Sequence, residues 1–202
     1  MQGSRLPAPF TYGLPAFGSH DAWACLTGKG RFQTQVYDPE DTMAKEKAVK
    51  TNAMRMLDKL KIQYDVLTVD IPEFVDGVQM AKLEGVPAEE SFKTLVLVGK
   101  SREYYVFVLP VEMEIDLKKA ASAVGEKSVE MIHVKDITKI TGYVRGGCSP
   151  LGMKKKFRTV IARECREHAS IYVSAGKIGT SMHIKTDDLI RATEAEIADF
   201  AV

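Results

Sequence analysis

The stretch Gly142–Met153 contains the residue types best suited to binding an anion or a carbonyl oxygen. Its glycines, serine and proline lie between two β-like segments, so the backbone can turn sharply and leave N–H groups pointing into the turn. The run Lys154–Lys156 follows at once and favours a polyanionic ligand. The same composition is typical of a tight hairpin loop with a solvated basic flank, so this stretch alone leaves both interpretations open.

Composition narrows the class of protein. The 202 residues suffice for one domain with a substantial core, and 45% hydrophobic with 27% charged residues is ordinary for a globular protein. With a formal net charge of +1, any affinity for nucleic acid must come from a local patch. The three cysteines are widely spaced, without a C-x-x-C pair, which favours a reducing compartment. No run could span a membrane and no secretion signal begins the chain, so we expect a cytoplasmic protein.

The elements that must position the loop can be predicted from periodicity. Residues 1–42 have no sustained period, and we predict a flexible or non-native N-terminal extension, followed by a single domain over 43–202. Strands outnumber helices and several are joined by short links, which predicts an α+β fold with a mixed, largely antiparallel sheet. Strands are predicted at 63–69, 92–98, 104–109, 129–132, 157–162, 171–174 and 181–184. Helices are predicted from Thr51 or Asn52, over 74–83, from Asp116 to Gly125, over 134–140, and from a Thr186 cap through to Ile197 and Phe200.

Three motifs occur in a fixed order, at Ser91–Val96, Thr141–Gly152 and Ile171–Gly179. Together they resemble the YbaK family of free-standing aminoacyl-tRNA editing proteins, which are related to the editing domain of bacterial prolyl-tRNA synthetases. The resemblance runs from about Thr51 to about Phe200. Within the family, the form Gly-Gly-Cys-Ser-Pro-Leu-Gly-Met-Lys-Lys is most similar to the branch that deacylates cysteinyl-tRNA(Pro).

The resemblance implies a partly closed β-sheet flanked by helices, and hydrolysis of the ester between a wrongly attached amino acid and the terminal adenosine of tRNA. It implies cysteinyl-tRNA(Pro), with cysteinyl-tRNA(Cys), as substrate, no cofactor, and a transient complex with prolyl-tRNA synthetase. Two residues depart from the family pattern: Val69 replaces a polar aromatic found in some relatives, and Ala175 replaces a common glycine. Because both lie near the implied pocket, they bear on the preferred amino acid more than on the reaction.

Lys93 is the first candidate side chain. It lies in an apolar run, where period-two alternation places it on the face opposite Phe92 and Thr94. From the residues alone it either faces solvent or carries its charge into a pocket, and a buried unpaired ammonium is costly. The resemblance favours the pocket because the motif lysine of the family falls on Lys93. We therefore assign Lys93 to holding a phosphate or the ester of the tRNA end, with Thr94 as a substrate contact.

The two glycine turns supply the other candidates. We assign Gly146 and Gly147 to catalysis and Ser149 to substrate binding, because backbone N–H groups in such a loop can stabilise an oxyanion, each worth about 3 to 4 kcal/mol. The second turn, with Ser174, Gly176 and Gly179, is predicted to form a wall of the pocket, unless it is a plain hairpin loop. Phe74 is predicted to line the pocket as well, although a core-facing helix aromatic explains it equally well.

The basic run after the loop is predicted to contact tRNA phosphates through Lys154, Lys155, Lys156 and Arg158, although a charge run is usually only a solvated face. Cys148 has the chemistry of a nucleophile, but no histidine is tied to it in sequence, and free cysteines are more often small buried residues. The four histidines show no metal-ligand spacing, so we predict no metal site.

Three functions are compatible with these residues. The first is trans-editing of mischarged tRNA, in which the thiol of the substrate cysteine attacks its own ester. The second is a non-catalytic regulator of the same fold that binds nucleotides or RNA ends. The third is hydrolysis of another small ester or amide, for which the chain offers no nucleophile with a base. Editing of a tRNA that carries another small amino acid, such as alanine, is an alternative within the first function.

Overall fold

Short helices and strands follow one another irregularly along the chain. The computed structural model describes residues 33–37, 50–71 and 75–202. In chain order the described elements are β1 (Gln33–Tyr37), α1 (Asn52–Leu60), β2 (Tyr64–Thr68), α2 (Gly77–Glu84), β3 (Phe92–Gly99), β4 (Tyr104–Pro110), α3 (Leu117–Val124), β5 (Val129–Met131), α4 (Val134–Thr141), β6 (Arg158–Ala162), a 3-10 helix (Arg163–Glu167), β7 (Ser170–Lys177), β8 (Thr180–Lys185), α5 (Thr186–Thr193) and β9 (Glu196–Ala198). None of the described helices is long and apolar enough to cross a membrane.

The described strands form two sheets. One has the order β1-β2-β8-β7 and is antiparallel throughout. The other has the order β5-β3-β4-β6-β9, in which β6 runs parallel to both β4 and β9. A backbone bridge between Ser91 and Tyr172 connects the start of β3 with β7 and so links the two sheets. The predicted α+β fold with a mixed, largely antiparallel sheet is confirmed.

Most helix ends follow the local signals in the sequence. The Thr51 hydroxyl accepts a hydrogen bond from the Met54 N–H and caps α1, and the Asp116 carboxylate caps α3 in the same way. The prediction that Thr186 caps α5 is wrong. Thr186 is already the first residue of the helix, and its hydroxyl donates instead to the His168 carbonyl at 2.6 Å.

The prediction that the last helix continues to Ile197 and Phe200 is also wrong. Glu194 takes a left-handed conformation with φ 52° and ends α5. Beyond it, Glu196–Ala198 pairs with β6 as the edge strand β9, so Ile197 does not continue the helix. Phe200 packs edge-on against Phe107 with ring centroids 4.9 Å apart. Pairing with a buried strand and burial of an aromatic ring outweigh the local helical spacing of these apolar residues.

The strand β1 lies inside the segment predicted to be an extension. It pairs antiparallel with β2, in a register that joins Gln33 to Thr68 and Tyr37 to Tyr64. These residues of the predicted extension therefore belong to the sheet, and the absence of a clear period in so short an edge strand explains why the sequence did not indicate it. The rest of 1–42 lies outside the described residues, and for those residues the predicted extension stays a prediction.

The two glycine turns found in the sequence pack against each other. A Cβ on Gly147 would lie 3.0 Å from the backbone N of Ile178, in the β7–β8 turn. Gly176 has φ 93°, and a Cβ there would lie 2.7 Å from Cε1 of Tyr143. Tyr143 cannot easily yield, because it is buried and its hydroxyl donates to the Leu151 carbonyl at 2.7 Å. The loop and the hairpin therefore touch without space for side chains between them.

This packing predicts unequal effects for two glycine substitutions. Gly125 and Gly176 both have a left-handed φ, but only at Gly176 would a Cβ meet other atoms. Backbone strain should cost each alanine variant about 1 kcal/mol. Overpacking should cost Gly176→Ala about 1 to 3 kcal/mol more. Urea denaturation of both variants measures the difference, and equal losses would show that the turns do not constrain each other.

The role of β1 can be tested by shortening the chain. A chain that begins at Met43 lacks β1 and leaves the hydrogen-bonding edge of β2 open, so we expect a loss of about 2 kcal/mol and a Tm lower by roughly 4 to 8 °C. A chain that begins at Gly30 keeps β1 and is the matched control. Thermal unfolding compares the two. The same Tm for both chains would show that β1 does not stabilise the sheet.

Candidate active site

A cavity of about 610 Å³ lies where the two sheets meet. Residues of α2, the first half of β3, the loop after α4 and the β7–β8 hairpin form its wall. Its size and its mixture of apolar and polar walls are typical of a site for a small ligand. Five of the residues predicted from the sequence line it: Lys93, Thr94, Gly146, Ser174 and Gly179.

Lys93 brings a half-buried positive charge into this cavity. Its Nζ donates a hydrogen bond to the Val111 carbonyl at 3.1 Å. Burial lowers the pKa of the Lys93 ammonium, and the charges of Glu114 and Asp76 act in the opposite direction. An ammonium group has three N–H donors, so the bond to Val111 leaves donors that can reach a ligand oxygen.

The glycine pair has divided roles. Gly146 lines the cavity, is exposed and has φ 81°, a conformation that favours glycine. Gly147 is buried behind it, and its N–H donates to the Val144 carbonyl at 3.1 Å. The assignment of Gly147 as a second oxyanion donor is therefore corrected, because its N–H already closes the turn. Gly147 supports the loop, and Gly146 presents the backbone to the cavity.

Of the remaining residues predicted to contact the substrate, some line the cavity and others do not. Ser174 lines the cavity, and its hydroxyl accepts a hydrogen bond from the N–H of Gly176 at 3.3 Å. Ser149 is fully buried and accepts from the Leu151 N–H at 3.3 Å, so it stabilises the loop from within and does not face a ligand. Gly176 likewise packs inward rather than lining the cavity. Phe74 lies outside the described residues.

The basic run is not at the cavity wall. The Lys154 ammonium donates to the Thr138 carbonyl at 3.2 Å, and Lys156 forms an ion pair with Glu194. Lys155 and Lys156 line a separate depression of about 200 Å³. None of the three lysines lines the cavity, and their contact with tRNA phosphates stays a prediction.

Arg158 has partners within the protein, and its predicted contact with tRNA stays a prediction. The Nε and Nη2 groups on one edge of its guanidinium donate to the two oxygens of the Glu196 carboxylate, at 2.8 and 2.9 Å, and its Nη1 donates to the Val124 carbonyl at 2.9 Å. These bonds connect β6, β9 and the end of α3. A different cation from the glycine loop, Arg145, contributes to the cavity wall.

Cys148 lines the cavity without the environment of a nucleophile. Burial raises the pKa of its thiol to about 12, and a hydrogen bond with the Thr141 side chain only partly opposes this effect. Because the thiolate is the reactive form, the thiol of Cys148 is almost entirely unreactive near neutral pH. The described residues contain no group of three or more His, Cys, Asp or Glu side chains placed to hold a metal ion. The predicted absence of a metal and of a cofactor stays a prediction.

One acidic cavity residue was missed by the sequence analysis. Glu84, the last residue of α2, is buried and lines the cavity. Burial raises the pKa of its carboxyl to about 7, while a hydrogen bond with the Ser181 side chain acts in the opposite direction. Its position was readable in principle, because Glu84 follows Met80 and Ala81 at helical spacing, on the face of α2 that contacts the cavity.

Comparison with known proteins places this geometry in a family. A family model described as an aminoacyl-tRNA editing domain matches residues 72–192. A protein of Enterococcus faecalis, named Cys-tRNA(Pro)/Cys-tRNA(Cys) deacylase EbsC, is 42% identical over 159 residues, which cover 78% of this chain and 97% of that protein. A protein of Escherichia coli, named multifunctional Ser/Thr-tRNA deacylase ProXp-y, is 22% identical over 162 residues, which cover 78% of this chain and 96% of that protein.

A solved structure shares the fold. It is described as a trans-editing enzyme for prolyl-tRNA synthetase, and it matches with a TM-score of 0.66 at 19% identity, over 77% of this chain and 99% of that chain. The domain match spans more than half of the chain, and the Enterococcus relative is similar over almost its full length. The chain therefore belongs to the YbaK family of aminoacyl-tRNA editing proteins, as its three motifs predict, and the predicted class of enzyme, an aminoacyl-tRNA deacylase, is confirmed.

Proposed function

We propose that this protein removes cysteine from mischarged tRNA by trans-editing, with cysteinyl-tRNA(Pro) as its main substrate and cysteinyl-tRNA(Cys) as a second one. The observation that carries the proposal is that one cavity joins the half-buried Lys93 ammonium, the backbone of Gly146 and the protonated thiol of Cys148. This arrangement can bind and polarise an ester but contains no activated protein thiol. The substrate named for the Enterococcus relative supports cysteine as the amino acid.

The wall of the cavity suggests how the end of the tRNA enters. Val78, Met131 and Val134 line the cavity and are 44%, 47% and 54% exposed, so they lie where it opens to solvent. An apolar rim of this kind suits the face of the terminal adenine. In this arrangement the Lys93 ammonium holds a phosphate or ester oxygen, and the N–H of Gly146 faces the carbonyl oxygen as negative charge develops on it.

The substrate brings its own nucleophile. When the cysteinyl sulfur attacks the carbonyl carbon of its own ester, an S–C bond forms and the C–O bond to the ribose breaks. The ribose oxygen gains one proton and the thiol loses one, so the tRNA leaves with a free hydroxyl. Water then opens the resulting cyclic thioester to give cysteine. The protein contributes position and charge stabilisation in this scheme, because Cys148 remains protonated.

Recognition of one tRNA requires a wider surface than the cavity offers. In our proposal Arg145 contacts phosphate next to the cavity, and Lys154, Lys155 and Lys156 contact phosphates farther along the acceptor stem. These few cations supply modest, salt-sensitive affinity. A transient complex with prolyl-tRNA synthetase then provides the preference for its tRNA, in line with the description of the trans-editing structure that shares this fold.

A second candidate activity is removal of serine or threonine, which the name of the Escherichia coli relative assigns to that protein. Its similarity extends over most of the chain, although at lower identity than the Enterococcus relative. A hydroxyl is barely ionised near neutral pH and is a much weaker nucleophile than a thiol. The two candidates therefore differ in the mechanism that the same cavity would have to support.

Lys93→Ala tests the role of the ammonium. If Lys93 holds the tRNA end, this variant should lower kcat/KM for cysteinyl-tRNA deacylation at least about tenfold, or about 1.4 kcal/mol. Its Tm should hardly change, because the side chain is only half buried. Lys100→Ala, in the exposed β3–β4 turn, is the matched control and should behave like the wild type. An unchanged rate for Lys93→Ala would remove Lys93 from the site.

A comparison of two esters tests the source of the nucleophile. Cysteinyl-tRNA(Pro) should be cleaved faster than seryl-tRNA(Pro) by more than the roughly 10- to 200-fold that a small difference in pocket fit supplies. In the same single-turnover assay Cys148→Ala should be nearly silent, because burial keeps that thiol protonated. Similar rates for both esters would contradict attack by the substrate thiol. A folded but inactive Cys148→Ala would make the protein thiol the nucleophile.

A further inference from the structure

The reaction described so far does not involve the buried carboxyl of Glu84. The residue is 5% exposed, and its Oε1 has no hydrogen-bond partner among the described residues. It nevertheless lines the cavity. An oxygen left without a partner on a buried carboxyl is costly, and buried polar atoms in native proteins are normally satisfied. A group that enters the cavity with the substrate can supply the missing partner.

Lys93 and Glu84 both line the cavity but are influenced by different groups. Lys93 is influenced by the acidic groups Glu114 and Asp76. Glu84 instead interacts with Ser181 and influences Tyr172, both on the β7–β8 hairpin. The cavity wall therefore carries an ammonium on β3, with Asp76 near it, and a buried carboxyl at the end of α2 beside the hairpin. A ligand that satisfies both groups carries an anion for Lys93 and a cation or hydrogen-bond donor for Glu84.

An aminoacyl ester at the end of a tRNA has this arrangement of charge. Its nucleotide carries phosphate, and its amino acid carries an α-amino group next to the ester carbonyl. Free α-amino groups have a pKa of about 8, so a large share is protonated near neutral pH. We propose that Glu84 binds the α-ammonium group of the aminoacyl ester and thereby positions the ester in the cavity. This inference rests on the function proposed above and names one of its substrate-binding residues.

The stability of the protein provides a readout of Glu84 that is independent of activity. Because burial raises the pKa of Glu84 to about 7, the folded state holds the proton more tightly than the unfolded state. Stability from this group is then fully present below its unfolded pKa of about 4.5 and falls as the pH rises towards 7. Glu84→Gln removes the titration, so its Tm should equal or exceed that of the wild type at about pH 8.

The test uses two esters that differ only in the group to be recognised. Cysteinyl-tRNA(Pro) carries the α-amino group, and 3-mercaptopropionyl-tRNA(Pro) lacks it but keeps the thiol. Each is offered to the wild type, to Glu84→Gln and to Glu89→Gln, an exposed control in the connection to β3. For each ester the rate of the variant is divided by the rate of the wild type, which cancels the intrinsic reactivity of the ester.

We expect Glu84→Gln to lower the rate on the cysteinyl ester at least about tenfold and to leave the rate on the mercaptopropionyl ester within about twofold. Glu89→Gln should match the wild type on both. An equal fall on both esters, or no fall on either, would overturn the inference while the wild-type activity on cysteinyl-tRNA still stood. A wild-type protein that leaves both esters intact would overturn the proposed function and this inference together.

Discussion

The contact between the Gly142–Met153 loop and the β7–β8 hairpin is the constraint on which the rest of the structure depends. Gly147 approaches the backbone of Ile178, where a Cβ would make a tight contact at 3.0 Å, and Gly176 approaches the ring of Tyr143, where a Cβ would clash at 2.7 Å. The Thr51 hydroxyl, which caps α1, also donates to the Ala175 carbonyl at 2.5 Å, immediately before Gly176. Three distant parts of the chain thus meet at this contact, and together they fix where Gly146 faces the cavity.

The cavity also contains two ionisable groups whose burial lowers the stability of the folded protein. Burial acts against the charged forms of both Lys93 and Glu84, lowering one pKa and raising the other. The two groups do not neutralise each other, since the charges that influence Lys93 come from Glu114 and Asp76. A substrate with a phosphate and an ammonium group satisfies both. Binding energy can therefore be used to order the ester in the geometry that attack by its own thiol requires.

Local chemistry in the sequence predicted much of the fold and part of the site. Side-chain caps and glycine stops mark most helix ends, and dense β runs mark the β3–β4 hairpin, because these signals act over a few residues. Lys93 and Gly146 were recognised by motif. Glu84 was missed because its burial arises only when α2 packs beside β3 and the hairpin. The position of the basic run outside the cavity wall was not predictable for a related reason: its charge is visible in sequence, but its place relative to the cavity is not. Ion pairing with Glu194 and Glu196 is equally a tertiary result.

The most direct test of this account is a crystal structure with a non-hydrolysable substrate mimic, 3′-cysteinylamino-3′-deoxyadenosine, in which an amide replaces the ester. The account predicts that the cysteinyl group occupies the cavity, with its ammonium within hydrogen-bonding distance of Glu84, its carbonyl oxygen facing the N–H of Gly146 and its nucleoside towards Lys93. A mimic seated elsewhere, such as in the depression beside Lys155 and Lys156, would contradict it. So would a mimic in the cavity whose sulfur cannot approach its own carbonyl carbon.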